Sequence, residues 1–303
     1  MNITDKCLEL EFILPKRTIS DGQGSLKKYQ PKFSNGKTNR LIKDLRMLIT
    51  IENSGAIQGN TVRGVIYGMN ENDMFQVSTF GLRYGQRTAS IIVHAGDSRF
   101  GKIQIITADL SITNINYNSM PDVSLEFEGV SMYSVKIQTV AANSFKGTQP
   151  VAKILEGVAG QIGLSFTNYN VTGSLTDHVI SGNPYQIINN VCEAAGIIYS
   201  IENGTLYIWQ KDKPRPINPI KLSSQTGLIS YPEFQELGIV CNSLFNPNIL
   251  FGREIDVQSA IPQATGIWQA ASIRHSLSNE FPQGQWYTSF YGNILGTPYV
   301  GKR

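Results

Sequence analysis

Hydrophobic and polar positions alternate with a period of two over most of this chain, and the places where that period changes mark its segments. Leu8, Leu10, Phe12 and Leu14 alternate with Glu9 and Glu11 before Pro15, which predicts a strand with one buried face. Leu45, Met47, Ile49 and Ile51 repeat the pattern, closed by the turn residues Asn53, Ser54 and Gly55. Alternation resumes over residues 89–95, 101–107, 112–117, 123–129 and 133–140. Between these runs, Val62, Val65, Ile66 and Met69 have near-helical spacing; Gly59, Gly64 and Gly68 weaken a helix there, so a short helical turn is expected. Residues 1–142 together predict one barrel-like β domain.

The period changes at Asn143. Val151, Ile154, Leu155, Val158, Ala159 and Ile162 fall on one helical stripe after Pro150 and before Gly163. A second helix is predicted from Asn183 as N-cap, with Pro184 in its first turn, a buried stripe of Tyr185, Ile188, Val191, Cys192 and Ala195, and Gly196 as its stop. Two short strands then flank Asn203-Gly204, a strong hairpin signal. Residues 143–212 thus predict a small α+β unit of two helices on a hairpin. Pro214, Pro216 and Pro219 follow as a stiff linker.

Residues 213–303 return to the period of two. Ile249, Phe251, Ile255 and Val257 share one parity, with Arg253 breaking the set. Ile267, Ala271, Ile273 and Leu277 share another, and Trp286, Thr288 and Phe290 a third, after the turn at Pro282, Gln283 and Gly284. The predicted fold class is mainly β with an α+β insert: two barrel-like domains, 1–142 and 213–303, flanking the unit at 143–212.

Composition sharpens this only modestly. Charged residues make up 16% of the chain, with 28 Gly and 13 Tyr, which suits a turn-rich β protein with large neutral surfaces. The 26 Lys plus Arg against 23 Asp plus Glu leave a net +3, too little to indicate bulk nucleic-acid binding. The charge is unevenly spread, however. Residues 22–43 hold Lys27, Lys28, Lys32, Lys37, Arg40 and Lys43 with no acidic residue, which reads as a long hairpin loop, basic and mobile, in preference to a nucleic-acid or partner-binding arm. The first residues do not form a signal peptide and no apolar run is long enough to span a bilayer, so a reduced cytoplasmic origin is expected, with Cys7, Cys192 and Cys241 as free thiols.

Candidate chemistry is sparse. Residues 96–102 match the spacing of a phosphate-binding loop, but Ile103 stands where a Ser or Thr should hold magnesium and a strand pattern follows where a helix is needed. A hairpin turn is expected instead. His94, His178 and His275 are isolated from one another, and His275 shares the parity of packed Ile273 and Leu277. Asp97, Asp109, Asp122 and Asp256 fall beside turns or on wet strand faces, with no local carboxylate pair. Trp209, Trp268 and Trp286 sit in or beside strands, where core or subunit-contact roles are the expectation. No catalytic, cofactor-binding or metal-ligating residue is assigned.

As a set, several stretches resemble a known family. They are SSQTGLISYPEF at 223–234, the run 243–291 that begins SLFNPNILFGREIDVQ, NYNSMPDVSLEFEG at 116–129, SFKGTQPVAKILEGVAGQIGLSF at 144–166 and EAAGIIYSIENGTLYIWQK at 193–211. The set is similar to the baseplate hub proteins of tailed bacteriophages, in particular the Mu-like hub group, and covers the chain from Ile91 to Tyr291. The related hub of type VI secretion spikes shares the architecture. The first 90 residues resemble the family loosely, and the basic stretch 22–43 has no counterpart in it.

The resemblance implies a structural protein of the virion tail, assembled in the host bacterial cytoplasm. It implies a homotrimer in which two similar β-barrel domains per chain build a pseudo-sixfold ring joining the tail tube to the central spike. Implied partners are a tail tube or distal tail protein, the central spike, the tape-measure protein, and genome DNA only in passage through the channel. Two alternatives stand beside it. One is a tail-tip peptidoglycan hydrolase using a carboxylate such as Asp97 or Asp256; the other is a carbohydrate-binding receptor module using Trp268 or Trp286.

Overall fold

The computed structural model describes residues 5–20, 26–55, 59–79, 88–118, 120–133, 143–144, 147–176, 179–180 and 182–294. Residues 134–140 of the strand expected over 133–140, and His178, lie outside these residues. The first segment holds β1 (Cys7–Ile13), β2 (Arg17–Ser20), β3 (Leu26–Tyr29), β4 (Asn39–Ile42), β5 (Met47–Asn53), β6 (Asn60–Tyr67), helix α1 (Glu71–Val77), β7 (Ser90–Asp97), β8 (Gly101–Asn116) and β9 (Ser124–Val130). The middle segment holds β10 (Asn143–Ser144), β11 (Thr148–Pro150), α2 (Val151–Gln161), β12 (Ser165–Asn168), β13 (Ser174–Thr176), β14 (Val179–Ile180), α3 (Pro184–Ala195), β15 (Ile197–Glu202) and β16 (Thr205–Gln210). The last holds β17 (Ile220–Ser223), β18 (Glu233–Gln235), β19 (Gly238–Leu244), β20 (Glu254–Gln258), β21 (Gly266–Asn279) and β22 (Trp286–Asn293).

The chain is mainly β, and alternation places its core. Leu8, Leu10 and Phe12 are buried on one face of β1, each worth roughly 1.5–3 kcal/mol relative to exposure. Strand pairing then departs from the expected two barrels. The large sheet runs in the order β18-β19-β22-β21-β5-β6-β9-β8-β7-β1-β4, with β17 and β20 beside β21. Both outer segments are strand-rich, as expected, but they share this one sheet through the antiparallel ladder of β21 on β5. Among the described residues no pairing between β18 and β4 closes it.

Two local expectations are corrected. The stretch 60–67, expected as a helical turn, is strand β6, and helix α1 follows it. Gly64 explains the misreading, because it lies between Ile49 of β5 and Phe127 of β9 in register. A Cβ there would meet Ile49 Cδ1 and Phe127 Cζ, each at 2.5 Å, so the glycine serves close packing and does not interrupt regular structure. Gly64→Ala is expected to cost about 1–3 kcal/mol by overpacking, read as a lower urea midpoint at unchanged slope. A wild-type midpoint would refute the tight fit. The stretch 22–43, expected as a long mobile hairpin loop, holds in its described residues two short strands, β3, paired with β2, and β4, paired with β1.

A third correction concerns β21. Ile267 is exposed while Trp268 and Ala270 are buried; then Ile273, His275 and Leu277 are buried. A register shift between Ala270 and Ser272 inserts one residue and inverts the parity midway.

The middle unit follows local signals closely. Asn183 and Gln186 form a reciprocal capping box at the start of α3, and Gly196 ends it in the left-handed conformation. Its buried stripe is Pro184, Ile187, Ile188, Val191 and Cys192, while Tyr185 and Ala195 are half-buried. The Asn203-Gly204 hairpin joins β15 to β16, and β12 adds in parallel to β16. Trp209 leaves this unit for the core of the last segment. Gly252, at φ +79, makes room for it: a Cβ there would lie 2.5 Å from Trp209 Cζ2.

Candidate functional site at the strand seam

The residues singled out for chemistry converge, in part, where the first and last segments meet. The β7–β8 turn is a hairpin with Asp97 opposite Gly101, so residues 96–102 form no phosphate-binding loop. The same turn buries Asp97, which had been expected beside a turn or on a wet face. Its Oδ1 accepts from the Arg99 backbone N–H at 2.9 Å and from Arg99 Nε at 3.1 Å. Its Oδ2 accepts from Arg99 Nη2 at 2.6 Å and from Trp286 Nε1, on β22, at 3.1 Å. Arg99 Nη2 also donates to the Phe245 carbonyl at 2.7 Å. Burial alone would raise the Asp97 pKa, but the hydrogen bonds from Arg99 and Trp286 and the guanidinium charge outweigh it and hold the carboxyl below its ordinary value.

Aromatic packing extends this contact. Phe245 meets Trp286 at 5.4 Å and His275 at 5.5 Å, both edge-on. His275 Nδ1 lies 2.9 Å from Thr288 Oγ1, which also accepts from the Asn246 backbone N–H at 3.0 Å. Full burial lowers the His275 pKa to about 4. Phe245, Leu277 and Trp286 of the last segment pack in the same core as Leu10 and Phe12 of the first. The seam is therefore bonded at the hairpin, packed in the core and hydrogen-bonded along the β21–β5 ladder, where Arg274 pairs with Glu52. Asn279 Nδ2 completes it by donating to the Leu45 carbonyl at 3.0 Å.

A second ionic contact joins the middle unit to the last segment. Arg215, in the proline linker, is buried and paired with Glu202 at 2.9 Å to both carboxylate oxygens. Its guanidinium lies 4.4 Å from the Tyr207 ring centre, and its backbone N–H donates to the Gly252 carbonyl at 2.9 Å. Nothing in the local sequence marks Arg215 or Asp97 as buried. The one signal for Asp97 is an acidic residue two positions before an arginine inside a tight turn.

The remaining candidates stay apart. His94 is on β7 opposite Glu9, and His275 is on β21. Asp109 accepts from Ser90 Oγ at 2.8 Å, Asp122 pairs with Arg46 at 2.8 Å, and Asp256 faces outward on β20. Cys192 and Cys241 are buried thiols, the latter pushed up to about 12 by desolvation, which removes thiolate character. Among the described residues no group of His, Cys, Asp or Glu could hold a metal ion. Trp209, Trp268 and Trp286 are all buried, and Trp268 Nε1 donates to the Ala264 carbonyl at 2.9 Å. Neither Trp268 nor Trp286 presents an open ring face to a sugar, which removes the carbohydrate-binding alternative as it was drawn.

What this geometry does is hold two strand groups edge to edge, and comparison with known proteins gives that arrangement a context. The family model described as Baseplate hub gp41 matches residues 40–284. No curated protein matches the chain by sequence. Among solved structures, the 43 kDa tail protein of prophage MuSo2 from Shewanella oneidensis is similar at 11% identity and a TM-score of 0.58, over 84% of this chain and 94% of that one. A tail protein from Neisseria meningitidis is similar at 10% identity and 0.59, over 97% and 99%. An E. coli component of the type VI secretion system, described as structurally similar to the T4 bacteriophage tail proteins gp27 and gp5, is similar at 11% and 0.54, over 85% and 75%. At these identities the likeness is one of fold.

Proposed function

Because this chain belongs to the baseplate hub gp41 family, we propose that it is a structural hub of the virion tail, built as a homotrimeric ring with two tube-like segments per chain. The observation that carries this reading is the seam. A threefold ring meets a sixfold tube without mismatch if each chain presents two similar halves at a fixed angle. The β21–β5 ladder, with the Asp97–Arg99–Trp286 contact behind it, supports such a rigid pair. In this reading residues 1–142 and 213–303 are the two tube-like segments, each closing as a barrel within the ring, and residues 143–212 hang outside.

One end of the ring receives a tail tube or distal tail protein and the other the central spike. The channel passes the tape-measure protein and the genome. A net charge of +3 suits a conduit that DNA passes through without tight binding. The role is structural and not catalytic, since Asp97, one of the carboxylates a hydrolase reading would call on, has its oxygens engaged by Arg99 and Trp286. The place of action is the tail, after assembly in the host cytoplasm.

Sedimentation velocity of the purified chain tests the ring. The expected species has three times the mass of one chain and a hollow outline in negative-stain images. A chain that stays monomeric at every concentration overturns it.

A further inference from the structure

The large sheet carries two exposed surfaces that lie far apart in its strand order. At one end, among the described residues, β18 pairs with β19 alone, and the segment around it exposes Ile229, Tyr231, Phe234 and Leu237, with Tyr231 68% accessible. Between residues 222 and 252 the charged side chains are Glu233 and Glu236 alone, and both are exposed. Exposed apolar side chains clustered along one edge strand mark an interaction surface.

The second surface is organised by α1. Asp73, fully buried, accepts from the Ser34 backbone N–H at 2.7 Å and from Ser34 Oγ at 2.9 Å, and pairs with Arg40 at 3.3 Å. The basic stretch is thereby tied to the helix. On the other side Thr79 Oγ1 donates to the Thr113 carbonyl at 3.2 Å and accepts from the Thr113 N–H at 3.1 Å, and Tyr117 donates to Glu71 at 2.6 Å. Around these ties Phe75, Ile112 and Tyr117 are exposed, as are Lys32 and Lys37 of the basic stretch, while Arg40 is half-buried. Beyond Leu110, β8 pairs with β9 and no longer with β7, and the Thr79 side chain takes the Thr113 backbone groups.

We propose that the β18 segment of one copy docks on the α1 surface of a second copy. The inference rests on the ring reading above and names the contact that closes it. Both surfaces carry exposed apolar side chains; the first holds the acids Glu233 and Glu236, and the second holds exposed Lys32 and Lys37, with Arg40 paired to Asp73 and Glu71 bonded by Tyr117. Apolar burial supplies the affinity, and the charges set register and exclude like-to-like pairing. Because the two surfaces differ and lie on strands far apart in the sheet order, the contact is head-to-tail, the type that generates a ring when the rotation closes. It also gives the basic stretch a use that the rest of the fold leaves open.

Charge exchange tests the pairing on the full chain by sedimentation velocity. E233K/E236K alone and K32E/K37E alone are each expected to raise the concentration at half-assembly by roughly tenfold or more. The four changes combined should return it to within about threefold of wild type, and Phe234→Asp should weaken assembly in both low and high salt. Far-ultraviolet circular dichroism should be unchanged throughout, since all these side chains are exposed. A wild type that forms trimers whose midpoint neither charge reversal moves overturns the pairing and leaves the ring standing. Reversals that weaken assembly without recovery when combined overturn it as well, because each charge set then faces another surface. A wild type that never assembles overturns both.

Discussion

Asp97→Ala lowers the unfolding free energy by about 3–5 kcal/mol, the cost of leaving a buried partner charge unpaired. The substitution removes every acceptor that holds Arg99 in the hairpin except the Phe245 carbonyl, and it strands Trp286 Nε1 inside the seam. Asp256→Ala, on the outward face of β20, is the matched control and changes stability by about 0.5 kcal/mol or less. Urea unfolding of both variants measures the difference. A loss under about 1 kcal/mol at Asp97 would show that the seam does not depend on this carboxylate. Since Asp97 is held below its ordinary value, its stabilisation is complete above the unfolded pKa of about 4 and is lost only as pH falls through the lower folded value.

The second large effect is a loss of stability in mild acid that traces to His275. The ring is buried between Phe245 and Thr288, and its pKa falls from 6.5 to about 4. Between those values the unfolded chain binds a proton that the folded chain does not, so stability decreases as pH is lowered through this window. The slope approaches about 1.4 kcal/mol per pH unit, which amounts to about 3 kcal/mol between neutrality and pH 4. His275→Gln keeps a polar side chain and abolishes the titration. The test compares the change in unfolding free energy between pH 7 and 4.5 for the two proteins, whatever their stabilities at pH 7. If both slopes are equal, the histidine is not the titrating group. The Asp97 contribution falls below this window, so the two effects separate along the pH axis.

Both effects act at the seam, so they bear on assembly as well as folding. The proposed ring, with its two halves at a fixed angle, needs a stiff joint. A ladder reinforced by a buried ion pair and edge-on aromatic rings resists hinge motion better than a linker between independent domains.

Features made within a few residues were readable from the residues alone. The Asn183–Gln186 capping box, the Asn203-Gly204 hairpin and the turn over 96–102 all appear where their turn and cap chemistry puts them. Features needing distant partners were not. The near-helical spacing of Val62, Val65 and Ile66 gave way to a strand because β5 and β9 pair on both sides and Gly64 admits Ile49 and Phe127. The basic stretch contains strands because β1 and β2 accept them. Ile267 turned outward because a bulge farther along β21 inverted its parity. Asp97 was legible as a turn residue but not as a buried one, since its burial depends on Trp286, which lies 189 positions away.

By itself the sequence determined the mainly β class, the two-helix unit, the free thiols and the family, because periodicity, caps and turns act over a few residues and a family leaves its mark at many positions at once. Tertiary structure alone decided that the two strand groups share one sheet, that Asp97, Arg215 and His275 lie inside, and that β18 and β4 stand at opposite ends of its strand order. The reason is physical. A strand's hydrogen-bonding edge is the same whatever its sequence, so which edges meet is settled by the burial and pairing of side chains that only the folded chain brings together.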